Sequence, residues 1–323
     1  METLKNYMAG HQIEWTGRID DANDEDSMRW HQKMLSLDLN SEPTKPEPGF
    51  CFLGFCSDVG VKRNLGRPGT AKGPASIRGE LANLPYGFTA RPNLYDAGNI
   101  YPEGDDLETA QMQLAKAVKK IKQLGLFPIV LGGGHEVSHG HYQGLKDHFG
   151  RHLGIMNMDA HFDLRPYKNG SSSGTMFRQI ADECVRDNAV FEYFPIGIQT
   201  YANTPALFKT AKALNCDYIL AKDINEAVLA DIYERLDDFI NRQRHIYLTF
   251  DTDVVSSAYA PGVSAPQPFG LNPEISLKIV KHILKSNKVA AFDFVEVSPR
   301  FDDDHQTAKL VAVMIYAMIN TLS

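Results

Sequence analysis

The chain has 323 residues, 43% of them apolar and 23% charged, with a formal net charge of −7. That is enough apolar material for a large core, and the acidic balance argues against nucleic acid or an anionic membrane as partner, since either selects a basic face. The N-terminus METLKNYMAGHQIEW lacks an apolar signal core, no run approaches the roughly 20 apolar residues of a membrane span, and Cys51, Cys56, Cys184 and Cys216 form no CxxC pair, so a cytoplasmic location is expected.

Residues 1–48 read as an N-terminal arm ahead of a single catalytic domain over 49–323. DDANDED (20–26) is a charge cluster and SEPTKPEPG (41–49) holds three prolines, the composition of a solvated extension. From residue 50, short apolar runs alternate with amphipathic stretches. FCFLGF (50–55), NLYDA (93–97), FPIVL (127–131), LGIMNM (153–158), YFPIGI (193–198), DYIL (217–220), HIYLTF (245–250) and VAAFDFVEV (289–297) are expected strands buried on both faces. Between them, 105–125, 225–243 and 272–286 carry helical periodicity; the first has acids in its opening turn, lysines near its end and a closing glycine. About eight strands alternating with helices imply a mostly parallel sheet with helices on both faces, a three-layer α/β/α fold.

Ligands in such sheets bind at the carboxyl ends of strands, and there the sequence places its unusual residues. IVLGGGHE puts His135 after one strand, with three glycines that let the backbone turn sharply. NMDAHFDLR puts Asp159, His161 and Asp163 after the next. In extended chain these three share a side, and they converge roughly even if the strand breaks at 160. TFDTDVV repeats the spacing with Asp251 and Asp253, and FDFVEVSPR adds Glu296. A helix cap would explain one such pair but not four strand ends. So many carboxylates in one pocket would raise one another's pKa values, and divalent cations remove that conflict. Imidazoles and carboxylates without a thiolate suit Mn²⁺ better than structural zinc. Six ligands with bridging carboxylates suit two ions about 3.5–4 Å apart.

His135 to His139 also spells H-E-x-x-H, the zinc-protease signature. Three glycines precede it where a protease helix would run on, and Tyr142 stands where the extended motif has glycine. That reading also leaves the other strand ends unexplained. His139 and His141 are expected as helix residues, one or both near the rim, not ligands.

GGGH, DAHFDLR, FDTDVV and VEVSP, in this order across roughly residues 50–320, resemble the signature of the ureohydrolases: arginases, agmatinases and formimidoylglutamases. The resemblance implies a three-layer α/β/α fold and a binuclear manganese centre, two Mn²⁺ per subunit. Position by position, it implies that His135, Asp159, Asp163 and Asp251 hold one ion. Asp159, His161, Asp251 and Asp253 would hold the other, with Asp159 and Asp251 bridging. It further implies that Asp163 takes the proton of the attacking water and passes it to the leaving nitrogen. Glu296 would pair with the substrate's amidinium.

Within the family the wording points to a substrate. Arginases and agmatinases carry His-Gly after the DAHxD block; SSSGTMFRQ (171–179) has Ser173 before Gly174, so that imidazole is missing. Two residues past DAHxD, where arginases have Asn, this chain has Arg165, whose guanidinium can fork onto a carboxylate and would repel the ammonium of agmatine. Together with DVGVKRNLGRPGTAKGPASIR (58–78), these stretches resemble formimidoylglutamases most closely. That implies hydrolysis of N-formimidoyl-L-glutamate to L-glutamate and formamide in histidine degradation. Arg165, Ser173, Gly174, Arg178 and Arg63 are expected to bind this small anionic amidine, with Arg67 and Arg300 as further sources of positive charge. The competing readings are an arginase-, agmatinase- or guanidino-acid-directed enzyme and a non-catalytic, metal-stabilised homologue. The complete ligand set disfavours the last. A homo-oligomer is expected.

Overall fold

The apolar runs form strands, and they are unbroken because both faces of the sheet are covered. The computed structural model describes residues 3–41, 45–150, 152–168 and 170–323, so part of the proline-rich stretch lies outside the described residues. The strands are β1 (Tyr7–Met8), β2 (Met34–Ser36), β3 (Gly49–Phe55), β4 (Asn93–Ile100), β5 (Phe127–Leu131), β6 (Leu153–Met158), β7 (Tyr193–Ile198), β8 (Ile219–Leu220), β9 (His245–Asp251) and β10 (Val289–Val295). Neighbouring residues alternate between two cores: Phe52 joins one, Leu53 the other. The first core takes apolar residues from helices Gly73–Ala82, Leu229–Arg242, Pro273–Leu284 and Gln306–Leu322. The second takes them from Leu107–Gln123, Val137–Phe149, Met176–Arg186 and Pro205–Ala213. This is the expected three-layer α/β/α arrangement.

The expected helices begin where side chains satisfy their free backbone N–H groups. Asp106 caps the helix Leu107–Gln123 by accepting from the Thr109 amide at 3.0 Å. Asn272 accepts from the Glu274 amide, with Pro273 in the first turn of its helix. No helix among the described residues is long and apolar enough to cross a membrane, and all four cysteines are free thiols.

The strand order is β1-β4-β3-β5-β10-β9-β6-β7-β8, with β2 also on β4. Every pairing is parallel except β1 with β4. Among the described residues the sheet has ten strands: the eight expected, with β1 and β2 in addition, which are too short to carry a periodic signal. Both come from the segment expected to be a solvated arm. That segment is built onto the sheet: Trp30 is fully buried against Phe52 and Phe88, and Leu4, Leu37 and Leu39 are buried too. It covers the outer edge of β4, which would otherwise present unpaired backbone groups. The charge cluster at 20–26 lies within a longer exposed stretch, 16–26.

Beneath the arm, Arg78 forks onto Asp96 at 2.8 and 2.9 Å, and both side chains are almost completely buried. Arg78 also donates to Asn99 Oδ1 and the Gly98 carbonyl, and Trp15 Nε1 donates to Asp96 at 2.8 Å. One ion pair thus joins β4, a helix of the first layer and the arm.

Candidate metal centre

The four strands that carry the ionisable motifs, β5, β10, β9 and β6, are adjacent in the sheet. Their carboxyl ends therefore meet at one place. β5 ends at Leu131, and the backbone continues through Gly132–Gly134 without a positive φ. Gly133 is there for close approach rather than a sharp turn: a Cβ would run into the Ser57 carbonyl. The segment delivers His135, whose amide donates to Glu296 Oε1 at 2.8 Å.

β6 stops at Met158, so simple strand alternation does not bring Asp159, His161 and Asp163 together. Two local devices do. Asp159 Oδ1 accepts the His161 amide at 2.7 Å, and Asp163 sits in the left-handed region at φ 51°. Glu296, just past β10, is likewise left-handed at φ 65°. Such backbone is unfavourable for a non-glycine residue and persists where the surroundings over-determine it. At the end of β9, Asp251 Oδ1 accepts the Asp253 amide at 2.8 Å.

The donors form two clusters that share Asp159: His135, Asp159 and Asp251 in one, Asp159, His161 and Asp253 in the other. His135 Nδ1 lies 3.1 Å from a carboxylate oxygen of each of Asp159, Asp163 and Asp251. His161 Nδ1 lies 3.1 Å from Asp253 and 3.5 Å from Asp159. His135 Nε2 faces Thr249 Oγ1 at 3.1 Å; a proton on Nε2 leaves the Nδ1 lone pair turned toward the carboxylates, the state a ligand requires. Asn157 and Tyr193 support the shared carboxylate from behind: Asn157 Nδ2 donates to Asp159 Oδ2 at 3.0 Å and contacts the Tyr193 hydroxyl.

The electrostatics fit a bound cation. Burial, then the charges of Asp253 and Asp159, pushes the Asp251 carboxyl well above its ordinary range. Burial, then Asp251, does the same to Glu296. Burial also raises Asp159, yet His135 and His161 outweigh it and hold that carboxyl low. A buried set of hard nitrogen and oxygen donors, mutually repelling and without a thiolate, suits divalent ions of the manganese type.

Above the clusters opens a cavity of about 280 Å³ lined by His161, Asp163, Asp251, Asp253 and Glu296 on its floor and by Asn64, Arg67, Arg165 and Ser173 among others on its wall. Arg165 is half-buried and, among the described residues, has no carboxylate partner; its Nη1 reaches Asn64 Oδ1 at 3.4 Å. Gly174 lies under that guanidinium, where a Cβ would collide with Nη1. Ser173 Oγ accepts from Asn64 Nδ2 at 3.2 Å. Asn64 went unnoticed in the sequence because a polar residue in a loop carries no signal of its own.

Two expected substrate contacts need correction. Arg178 pairs with Asp182 one turn on along its own helix, at 3.0 Å, and does not line the cavity. Arg63 is held by Glu108 at 2.7 Å and by the Ser171 and Asp105 carbonyls. It latches the loop before Ser173 and leaves the floor cavity to others. Arg300 lines a separate cavity and stacks on Phe301. The H-E-x-x-H reading also fails geometrically: the helix starts at Val137, and His139 turns to Glu183 at 2.9 Å. Of the two histidines only His139 is partly exposed; His141 is fully buried on Asp293 at 2.7 Å.

The latch makes a pH prediction. Burial raises the Glu108 carboxyl, but hydrogen bonds from Arg63 and Ser171 outweigh it and bring its pKa to about 2, against an ordinary 4.5. A depressed carboxylate contributes stability above the unfolded value and loses it as pH falls from 4.5 toward 2. Glu108→Gln is expected to flatten the acid limb of a stability–pH curve in that window, modestly, since the pair is half exposed. An unchanged acid limb would show that the pair contributes nothing.

A parallel α/β sheet with carboxylates and imidazoles converging at its carboxyl edge defines a metallohydrolase architecture. The chain belongs to the arginase family, whose model matches residues 49–320. It is 49% identical to the formimidoylglutamase of Clostridium tetani (strain Massachusetts / E88), over 98% of this chain and 97% of that protein. It is 45% identical to that of Geobacillus sp. (strain WCH70), over 95% and 94%. Among solved structures, Trypanosoma cruzi formiminoglutamase with Mn2+2 superposes with a TM-score of 0.77 at 26% identity, covering 88% of this chain and 96% of that one. The fold is shared with formimidoylglutamase from Bacillus subtilis at a TM-score of 0.82 and 22% identity, over 95% and 96%.

Proposed function

We propose that this protein hydrolyses N-formimidoyl-L-glutamate to L-glutamate and formamide, with two Mn²⁺ held by His135, Asp159, His161, Asp163, Asp251 and Asp253. The observation that carries the substrate reading is Arg165, an unneutralised guanidinium on the wall of the cavity whose floor is the metal centre. The names of the relatives above agree with it. The reading places the enzyme in cytoplasmic histidine degradation.

When bound, the two ions lower the pKa of water and so supply a nucleophile near neutral pH. The chain's own residues do the rest. Glu296 Oε1 is occupied by the His135 amide, while buried Oε2 has no hydrogen-bond partner among the described residues; it takes a hydrogen bond from the amidinium and orients the planar group over the floor. Asp163, at the edge of the donor set, accepts the proton of the attacking water and returns it to the departing glutamate nitrogen. Arg165 holds a carboxylate, with Asn64 and Ser173 fixing the guanidinium's side of the cavity.

The test is turnover of formimidoylglutamate, arginine, agmatine and guanidinobutyrate, side by side with added Mn²⁺. Formimidoylglutamate should be preferred; preference for arginine or agmatine overturns the reading. Arg165→Ala should lower kcat/KM by about 2–3 kcal/mol, the lower part of the range for truncating a charged hydrogen-bond partner, because the guanidinium is only half-buried. Metal content should not change.

A further inference from the structure

The cavity wall carries a second guanidinium of the same kind. Loop residues 64–67 line the cavity, with Leu65 held left-handed at φ 60° although the residue is 94% exposed. That turn presents Arg67, which lines the cavity together with Arg165. Its amide donates to Ser264 Oγ at 2.9 Å, Nε to the Ser264 carbonyl at 2.9 Å and Nη2 to the Val263 carbonyl at 2.6 Å. Its guanidinium carbon lies 4.0 Å from the Phe301 ring centre. Carbonyls and a ring face orient the group without neutralising it, and they occupy only two of its five N–H donors. Among the described residues it has no carboxylate partner, whereas Arg63 and Arg178 both do.

The cavity thus combines an anionic floor of Asp163, Asp251, Asp253 and Glu296 with two uncompensated guanidinia on its wall. A single carboxylate would satisfy one of them. We propose that Arg67 binds the second carboxylate of the substrate, so that Arg67 and Arg165 together select a dicarboxylic amidine. The assignment rests on the formimidoylglutamate reading. Pinning the guanidinium before the substrate arrives reduces the ordering that binding must otherwise supply. Arginine and agmatine would bring an ammonium to the same wall and be repelled there.

The experiment compares the native enzyme with Arg67→Met, both loaded with Mn²⁺, on three substrates. These are N-formimidoyl-L-glutamate, N-formimidoyl-norvaline, which lacks the side-chain carboxylate, and N-formimidoyl-γ-aminobutyrate, which lacks the α-carboxylate. On the diacid, kcat/KM should fall roughly ten- to hundredfold, carried by KM, because remote binding is equal in ground and transition states. On one monoacid the variant and native enzymes should differ by less than about threefold, since the carboxylate that Arg67 reads is absent. On the other monoacid the loss should match that on the diacid. Equal losses on all three substrates would reduce Arg67 to a structural role in the loop and overturn the proposal. So would no loss on the diacid while the native enzyme turns it over. A native enzyme inactive on formimidoylglutamate overturns the substrate reading itself, and the Arg67 assignment with it. The melting temperature and metal content of Arg67→Met should equal those of the native protein.

Discussion

Asp159→Ala is expected to empty the whole metal centre rather than half of it. Among the described residues, Asp159 is the carboxylate common to both donor clusters. Its Oδ2 faces His135 Nδ1 at 3.1 Å and its Oδ1 faces His161 Nδ1 at 3.5 Å. Asn157 and the His161 amide fix both oxygens. Removing the shared donor leaves each ion short of a ligand and removes the charge that lets the two sit close together. Metal analysis should fall from two Mn²⁺ per chain to nearly none, and turnover to background. His135→Ala should leave about one ion, because its Nδ1 serves a single cluster. Asp251→Ala is the sharper probe. The geometry places Asp251 only in the cluster of His135 and Asp159, whereas the resemblance makes it a second bridge; one retained ion would confine it to the first cluster. Two ions retained in Asp159→Ala would refute the shared site. For Asp251→Ala, loss of fold should not confuse the result: with no cation bound, deleting a carboxyl raised by burial and by its neighbours relieves repulsion. Metal-free Asp251→Ala should therefore melt no lower than metal-free native protein.

Asp96→Ala is expected to destabilise the fold by about 3–5 kcal/mol, the scale for leaving one member of a buried ion pair alone. The Arg78 guanidinium would keep its charge with Nε and one Nη2 contact unsatisfied, far from water. Trp15 would also lose its acceptor, loosening the arm from the edge of β4. The urea midpoint should fall, and replacing both partners by apolar residues of similar volume should restore much of it. For contrast, Arg91→Ala removes exposed pairs with Glu25 and Asp26 and should change stability by less than about 1 kcal/mol. A loss below about 1 kcal/mol in Asp96→Ala would show that the pair merely fills space.

The strand runs, the main helices and the layer order were legible in the sequence, and so were the ionisable residues that gather at the carboxyl ends of the strands. Apolar runs long enough to be buried on both faces have few alternatives, and hard ligands at four strand ends have almost none. The third dimension corrected details that local pattern does not encode. Asp159, His161 and Asp163 converge through an amide hydrogen bond and a left-handed residue, not through strand alternation. Arg63, Arg178 and Arg165 are alike as letters; only their neighbours show that Glu108 and Asp182 occupy the first two and that, among the described residues, no carboxylate occupies the third.

From residue 50 onward, strand, helix and candidate metal donor can be read along the chain, because those properties follow from composition and spacing along a few consecutive residues. Only the tertiary structure decided that β5, β10, β9 and β6 lie side by side, so that donors more than a hundred residues apart meet at one cavity. Only it decided that the N-terminal segment seals an edge strand and that Arg67 and Arg165 stand uncompensated on the same wall. Those are facts about distance between remote parts of the chain. Pairing order, burial and charge compensation set them, and no short stretch of sequence contains any of the three.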